Sequence, residues 1–457
     1  MTFCGTTTLR ARFAARLSAL YGQEVPAYTT LVEVSHEVNQ RVLERDGDRA
    51  ERYGSIERVT AERHGAIRVG SPEEMAQVAR VFGALGMFPT GFYDLRDAHP
   101  QPVPVVSTAF RPIDRHELAK IPFRVFTSML VPEDRRFFDA DLEGRLKSFV
   151  GARRLFPDEL LTLADRAEAE GGLPDEDAAH FLELAAASFA LSPEPVDRAW
   201  YGELERVSGV AADIGGVTST HINHLTPRVL DIDDLYRSMQ ARGITMIDRI
   251  QGPPRWEGPD VLLRQTSFRA LDEPRLFRDP DGTLSEGALR VRFGEVEARG
   301  IALTPAGRDL YDAAVAAVDE RAADDDRDRD EVAVEVWREV MPPTERELFT
   351  RDLGYFTYRP VSGRPAGLLP GTAQELVDGG WLEPEPIVYE DFLPRSAAGI
   401  FASNLTDGGE MDAAQGGAER DAAWLAEQLG RPVFTPEELY RAESERSLAA
   451  AQRSPGV

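Results

Sequence analysis

The sequence predicts an α+β protein whose centre is a partly open β-barrel, assembled from two β-α-β-β-β modules and surrounded by additional helices. Three observations predict it. The order strand, helix, three strands is written twice in the 457-residue chain, once around His64 and once around His224. Both copies open with the same local pattern, His-x-x-x-Arg-Val, as His64 with Arg68 and as His224 with Arg228. The segments between and after the copies carry apolar residues at helical spacing instead.

Residues 1–138 hold an N-terminal helical lead and the first module. Its opening strand surrounds His64. Ser71-Pro72-Glu73-Glu74 then supplies an N-cap with proline in the first helical turn, and Met75, Val78, Ala79, Phe82 and Leu85 recur at helical spacing until Gly86 stops the helix. Strands are expected at Met87–Leu95, Val103–Phe110 and Pro122–Leu130. Residues 139–210 read as a helical insertion, with DELLTLADRAEAE and DEDAAHFLELAAASFAL as amphipathic segments padding the barrel.

Residues 211–310 repeat the module. HLTPRVLDID is a strand, a short helix starts near Asp233 and carries Leu235 and Met239, and Gly243 ends it. Strands are expected at ITMIDRI, at Val261–Phe268 and at Leu289–Arg299. Residues 311–457 form a C-terminal helical region, interrupted by a solvated charged tract at Asp324–Glu331 and carrying the loop FLPRSAAG.

Composition narrows the function. A chain 42% hydrophobic and 28% charged is an ordinary globular protein. No apolar run is long enough to cross a bilayer, and Arg10, Arg12 and Arg16 interrupt the N-terminus where a signal peptide needs continuous apolar residues. The single cysteine, Cys4, excludes an internal disulfide or a cysteine zinc knuckle, and the expected location is the cytoplasm. A formal charge of −26 repels nucleic acid and anionic membranes, which leaves small-molecule chemistry. An anionic substrate must then meet a local arginine.

The inward positions of each module's first and last strands supply the chemistry. They offer His64, His224 and a glutamate from FGEVEAR. His221 and His224 differ by an odd number, so a regular strand turns only one of them inward; His224 matches His64 in the repeat and is the one selected. Glu295 and Glu297 share a parity, and alternation leaves both open. Two histidines and one carboxylate form the set suited to non-haem Fe(II) with open coordination positions. Arg68 lies four residues beyond His64 on the same strand face, or ~13 Å at ~3.3 Å per residue. Its planar fork grips a carboxylate bidentately. The combination calls for a dicarboxylate, one end at the metal and the other at Arg68.

The stretches HINHLTPRVLDIDDL and FGEVEARGIALTPAGRDLYD, with RHGAIRVGS, STAFRP, PFRVFTSML, LRQTSF and FLPRSAAGIFASNL, carry a resemblance over nearly the whole chain. The sequence resembles the 2-oxoadipate dioxygenase/decarboxylase family, or hydroxyglutarate synthases, within the vicinal oxygen chelate superfamily. That family is similar to hydroxyphenylpyruvate dioxygenases, whose ligand motifs read like DHLT and FLEVIQR. The resemblance implies His224 in NHLT and Glu295, rather than Glu297, in FGEVEAR as metal ligands, with His64 the other histidine. It implies that Arg68 is the catalytic arginine holding the distal carboxylate, and that the substrate reaches His64, His224 and Glu295 through the metal. It also implies substrate contact from Arg395 and Ser396, although Arg395 stands where the family has a small apolar residue. The implied reaction turns 2-oxoadipate and O₂ into 2-hydroxyglutarate and CO₂ on Fe(II), as a step of lysine degradation. Two alternatives share the fold: a glyoxalase-like isomerase or epimerase with a redox-inert metal, and a metal-free binding module.

Overall fold

The strand that carries His64, Arg63–Val69, lies inside the largest sheet, and every residue after Arg63 is buried. On one side it runs parallel to Phe123–Leu130, which pairs antiparallel with Val105–Arg111, which pairs in turn with Phe88–Asp94. On its other side it pairs antiparallel with His224–Pro227. The two modules therefore join through their opening strands, which brings their histidines side by side. The computed structural model describes residues 2–98, 101–290, 292–323, 327–363, 371–394, 400, 403–404 and 415–453.

The first module's helix, Pro72–Gly83, begins as the sequence dictates. The Ser71 side chain accepts the Glu74 N–H, Pro72 occupies the first turn, and Gly86 beyond the end takes φ +66°. Its counterpart in the second module, Ile232–Ala241, is capped by Asp231, whose side chain accepts the Asp234 N–H. Leu235 and Met239 are buried on its inner face.

The second module departs from expectation in two places. ITMIDRI makes no continuous strand; it meets Leu263–Phe268 through a bridge from Met246 to Phe268, and Gln251 just after it bridges to Gln265. Its buried residues, Met246 and Ile247, are adjacent, whereas a strand burying one face needs alternation. Leu289–Arg299 is not one strand either. Leu289 closes a hairpin of Glu273–Arg278 and Leu284–Leu289, and the module ends with the separate strand Gly294–Arg299. That last strand pairs antiparallel with Leu263–Phe268 and meets the end of its own module's opening strand through a parallel bridge from Arg228 to Glu297. It thus repeats the first module's arrangement, with the last strand flanked by a parallel first and an antiparallel third. Among the described residues these strands do not close into a barrel.

Helices cover the sheets. Thr6–Glu24 and Pro26–Asp46 bury Phe13, Leu17, Tyr21, Leu31, Val34 and Val38. The Tyr21 hydroxyl lies between the carbonyls of Asn223 at 3.0 Å and Phe293 at 2.8 Å, and so pins the approaches to the strands of His224 and Glu295. Helices Ala140–Ala152, Asp158–Glu170, Asp175–Ser188 and Arg198–Val207 follow the first module. The C-terminal region is helical at Pro305–Ala323, Arg329–Val340 and Pro436–Arg453, but it also contains a hairpin of Phe356–Pro360 and Leu382–Pro386.

Candidate active site

Register explains how two histidines distant in sequence meet. His64, Ala66 and Arg68 share one face of their strand. His224 is the cross-strand partner of Ala66, and Thr226 is the partner of His64. The small Ala66 side chain leaves room above it, and the two imidazole rings fill that room edge to face, with centroids 5.3 Å apart. Glu295 reaches the same point from the strand Gly294–Arg299. Its Oε1 lies 3.5 Å from His64 Nε2 and its Oε2 lies 3.4 Å from His224 Nε2. One ligand atom from each of the three residues can be chosen so that all lie within 4.8 Å of one another, and all three side chains are buried.

The neighbours fix each of the three side chains. The His224 ring stacks on Phe293, 5.3 Å between centroids, and its Nδ1 lies 3.0 Å from Thr226 Oγ1. This turns Nε2 toward Glu295. The His64 ring meets the edge of Phe392 at 5.0 Å, and its Nδ1 lies 2.9 Å from Glu297 Oε2. Glu295 also accepts a hydrogen bond from the Gln265 side chain on the adjacent strand.

The charges suit a cation. Burial, reinforced by the nearby charges of His64 and Arg68, holds the His224 imidazole well below its ordinary value, so it is neutral with a free lone pair. Burial also lowers His64, but Glu297 and Glu295 outweigh it and the net shift is upward. Burial pushes the Glu295 carboxyl up, against the lowering effect of His64. A carboxylate that the protein's own positive charges do not fully compensate is the environment a divalent cation satisfies, and two imidazoles complete the donor set. Glu297 differs: burial raises it, but Arg299 and His64 dominate and bring it down to about 2. At Glu297 the cations of Arg299 and His64 outweigh burial; at Glu295 burial outweighs them.

Arg68 sits in a second buried cluster on the same strand face. Its guanidinium is ion-paired with Asp213, and its carbonyl accepts from Thr220 Oγ1 at 2.8 Å. Asn223 Nδ2 donates to Asp213 at 3.0 Å and lies 3.1 Å from His221 Nε2, which is itself 3.3 Å from the other Asp213 oxygen. Burial works against the Asp213 charge, but His221 and Arg68 overcome it and hold that carboxyl well below the carboxylate range. His221 precedes the regular strand and belongs to the arginine cluster, whereas His224 belongs to the triad.

Sequence reasoning brought together His64, His224, Glu295 and Arg68, but it did not identify Asp213, Gln265, Thr226 or Phe392 as their supports. Parity within the strands, once registers are known, would have found Gln265, which is the direct partner of Glu297 and diagonal to Glu295. Asp213 lies on the helix Gly209–Gly215 and carries no sequence signal for this role. Arg395 and Ser396 lie outside the described residues. On the two sides of them in sequence, Phe392 packs on His64, and the Asn404 amide donates to Ser267 Oγ at 2.9 Å on the strand that also carries Gln265.

Comparison with known proteins identifies the family. The model of the 2-oxoadipate dioxygenase/decarboxylase family matches residues 13–404. The chain is 57% identical over 441 residues to the 2-oxoadipate dioxygenase/decarboxylase of Mycobacterium tuberculosis H37Rv, covering 96% of each chain. It is 40% identical over 464 residues to the enzyme of that name from Pseudomonas putida KT2440, covering 99% of this chain and 98% of that one. The crystal structure of the hydroxyglutarate synthase from Pseudomonas putida in complex with 2-oxoadipate is similar in fold, with a TM-score of 0.82 and 37% identity over 99% of this chain and 100% of that chain. With 57% and 40% identity across almost its full length and a family match spanning both modules, the chain belongs to the 2-oxoadipate dioxygenase/decarboxylase family.

Proposed function

We propose that this protein converts 2-oxoadipate and O₂ into 2-hydroxyglutarate and CO₂, using Fe(II) held by His64, His224 and Glu295. The observation that carries the reading is the meeting of these three buried side chains, with a buried arginine further along the same strand face as His64. Bound there, Fe(II) supplies the redox chemistry that joins dioxygen to a 2-oxo acid. The reaction balances without a further reductant, because CO₂ leaves with both oxygens of the lost carboxylate and the five-carbon product takes both atoms of O₂, one in its new carboxylate and one as its hydroxyl.

The protein's own part is binding, orientation and exclusion of water. Arg68 receives the distal carboxylate, and Asp213 holds the guanidinium so that its fork keeps one direction. A substrate fixed at both ends keeps its reacting carbon in place between the two oxygen-transfer stages. Phe293 and Phe392 close two sides of the histidine pair with apolar rings. Arg395 and Ser396 are assigned to substrate contact, with Arg395 adding a cationic side chain beside a diacid. The two modules, at residues 1–138 and 211–310, wrap as a partly open barrel around the site, with the helical parts 139–210 and 311–457 outside it. The setting is lysine degradation in the cytoplasm.

An isomerase of the same fold would draw a carboxylate ligand from each module. The strand Phe123–Leu130, which corresponds to the Glu295 strand, carries none. Oxygen-electrode recording after anaerobic reconstitution with Fe(II) tests the reading. Adding 2-oxoadipate should start oxygen uptake with one CO₂ released per O₂ consumed, and silence with every 2-oxo acid would reject it.

A further inference from the structure

We infer that Glu297 and Arg299 are positioning residues that lock the His64 ring for metal binding and tie it to the Tyr389–Phe392 segment. The inference rests on the reading of His64, His224 and Glu295 as a metal site.

The side chains form a closed circuit. Glu297 Oε2 lies 2.9 Å from His64 Nδ1. The same carboxylate is gripped by Arg299, through Nε at 2.7 Å and Nη2 at 2.9 Å. The remaining nitrogen of Arg299, Nη1, donates to the carbonyls of Tyr389 at 2.9 Å and Asp391 at 3.0 Å. Between these carbonyls and the triad, Phe392 lies under the Arg299 guanidinium, 5.7 Å from charge to ring centre, and presents its ring to His64 at 5.0 Å. Glu297 and Arg299 are both buried, so neither contact competes with water.

The chemistry follows from this geometry. A neutral imidazole carries one proton, and a carboxylate beside Nδ1 draws it there. Nε2 is left with its lone pair, facing Glu295. The carboxylate cannot turn away, because both oxygens are held by the Arg299 fork. Arg299 in turn is anchored to the Tyr389 and Asp391 carbonyls, so that segment is tied to the imidazole through the arginine as well as through the Phe392 ring. Partners of this kind typically contribute ~10–100-fold in metal affinity.

The test measures Co(II) affinity by calorimetry, the visible spectrum of the bound Co(II), and the unfolding temperature of the metal-free protein. It compares wild type with E297Q, R299K and H64A. E297Q should bind Co(II) ~10–100-fold more weakly with an altered spectrum, R299K should show a smaller loss together with a raised KM for the diacid, and H64A should bind least. If wild type and H64A bind Co(II) equally, the metal site itself is wrong and the inference falls with it. If wild type binds and H64A does not, but E297Q and R299K match wild type in affinity and spectrum, the inference alone is overturned. Should E297Q fail to fold, R299K decides by the same readouts. A lowered unfolding temperature with unchanged Co(II) affinity would make the pair merely structural, and would also overturn it.

Discussion

His224→Ala should abolish metal retention and turnover together, while His221→Ala should keep the metal. The two histidines are three residues apart and both buried, so burial alone does not separate them. Their partners do. His224 Nε2 faces Glu295 with Nδ1 set by Thr226. His221 Nε2 faces Asp213 and Asn223. Removing a ligand leaves two donors, and the loss should exceed the ~10–100-fold that follows when only an orienting partner is removed. Removing His221 leaves Asp213 and Asn223 short of a partner, which costs about 1–3 kcal/mol of stability but leaves the triad whole. Metal content after dialysis, read beside oxygen uptake, distinguishes them. A His221→Ala protein without metal, or a His224→Ala protein that retains it, would transfer the ligand role.

Arg68→Lys should raise KM for a six-carbon diacid with little change in metal content. Lysine keeps the charge but not the fork, so one charge-assisted hydrogen bond is lost, worth about 1.5–3 kcal/mol or roughly 10- to 150-fold in KM. The Arg68 partner is Asp213, in a cluster separate from the triad's direct contacts, so the metal should stay. Steady-state kinetics with metal analysis on the same preparation checks this. An equal fall in metal content would make Arg68 a structural residue.

Most of the candidate site was legible because it lies on strands, where the period of two and a repeated motif constrain which side chains share a face. His64, Arg68 and His224 were readable in this way. Glu295 and Glu297 were not separable by spacing, since both face the same side; resemblance favoured Glu295, and three-dimensional charge shows the physical difference, with Arg299 occupying Glu297. Asp213 reaches Arg68 from a helix 145 positions away, a contact that no local pattern encodes.

The fold misreadings have local causes. The hairpin between Glu273 and Leu289 was concealed because LRVRFGEVEAR reads as one long strand. The Asp281-Gly282 pair, with Gly282 at φ +85°, was an available turn signal. ITMIDRI has strand-forming residues but only two adjacent buried positions, so packing overrode propensity.

The most direct measurement is anomalous scattering at the iron edge from an anaerobic crystal reconstituted with Fe(II) and soaked with 2-oxoadipate. One peak should stand among His64 Nε2, His224 Nε2 and Glu295, with the diacid running from it to Arg68. A peak elsewhere, or none in crystals that contain iron by analysis, would contradict the account.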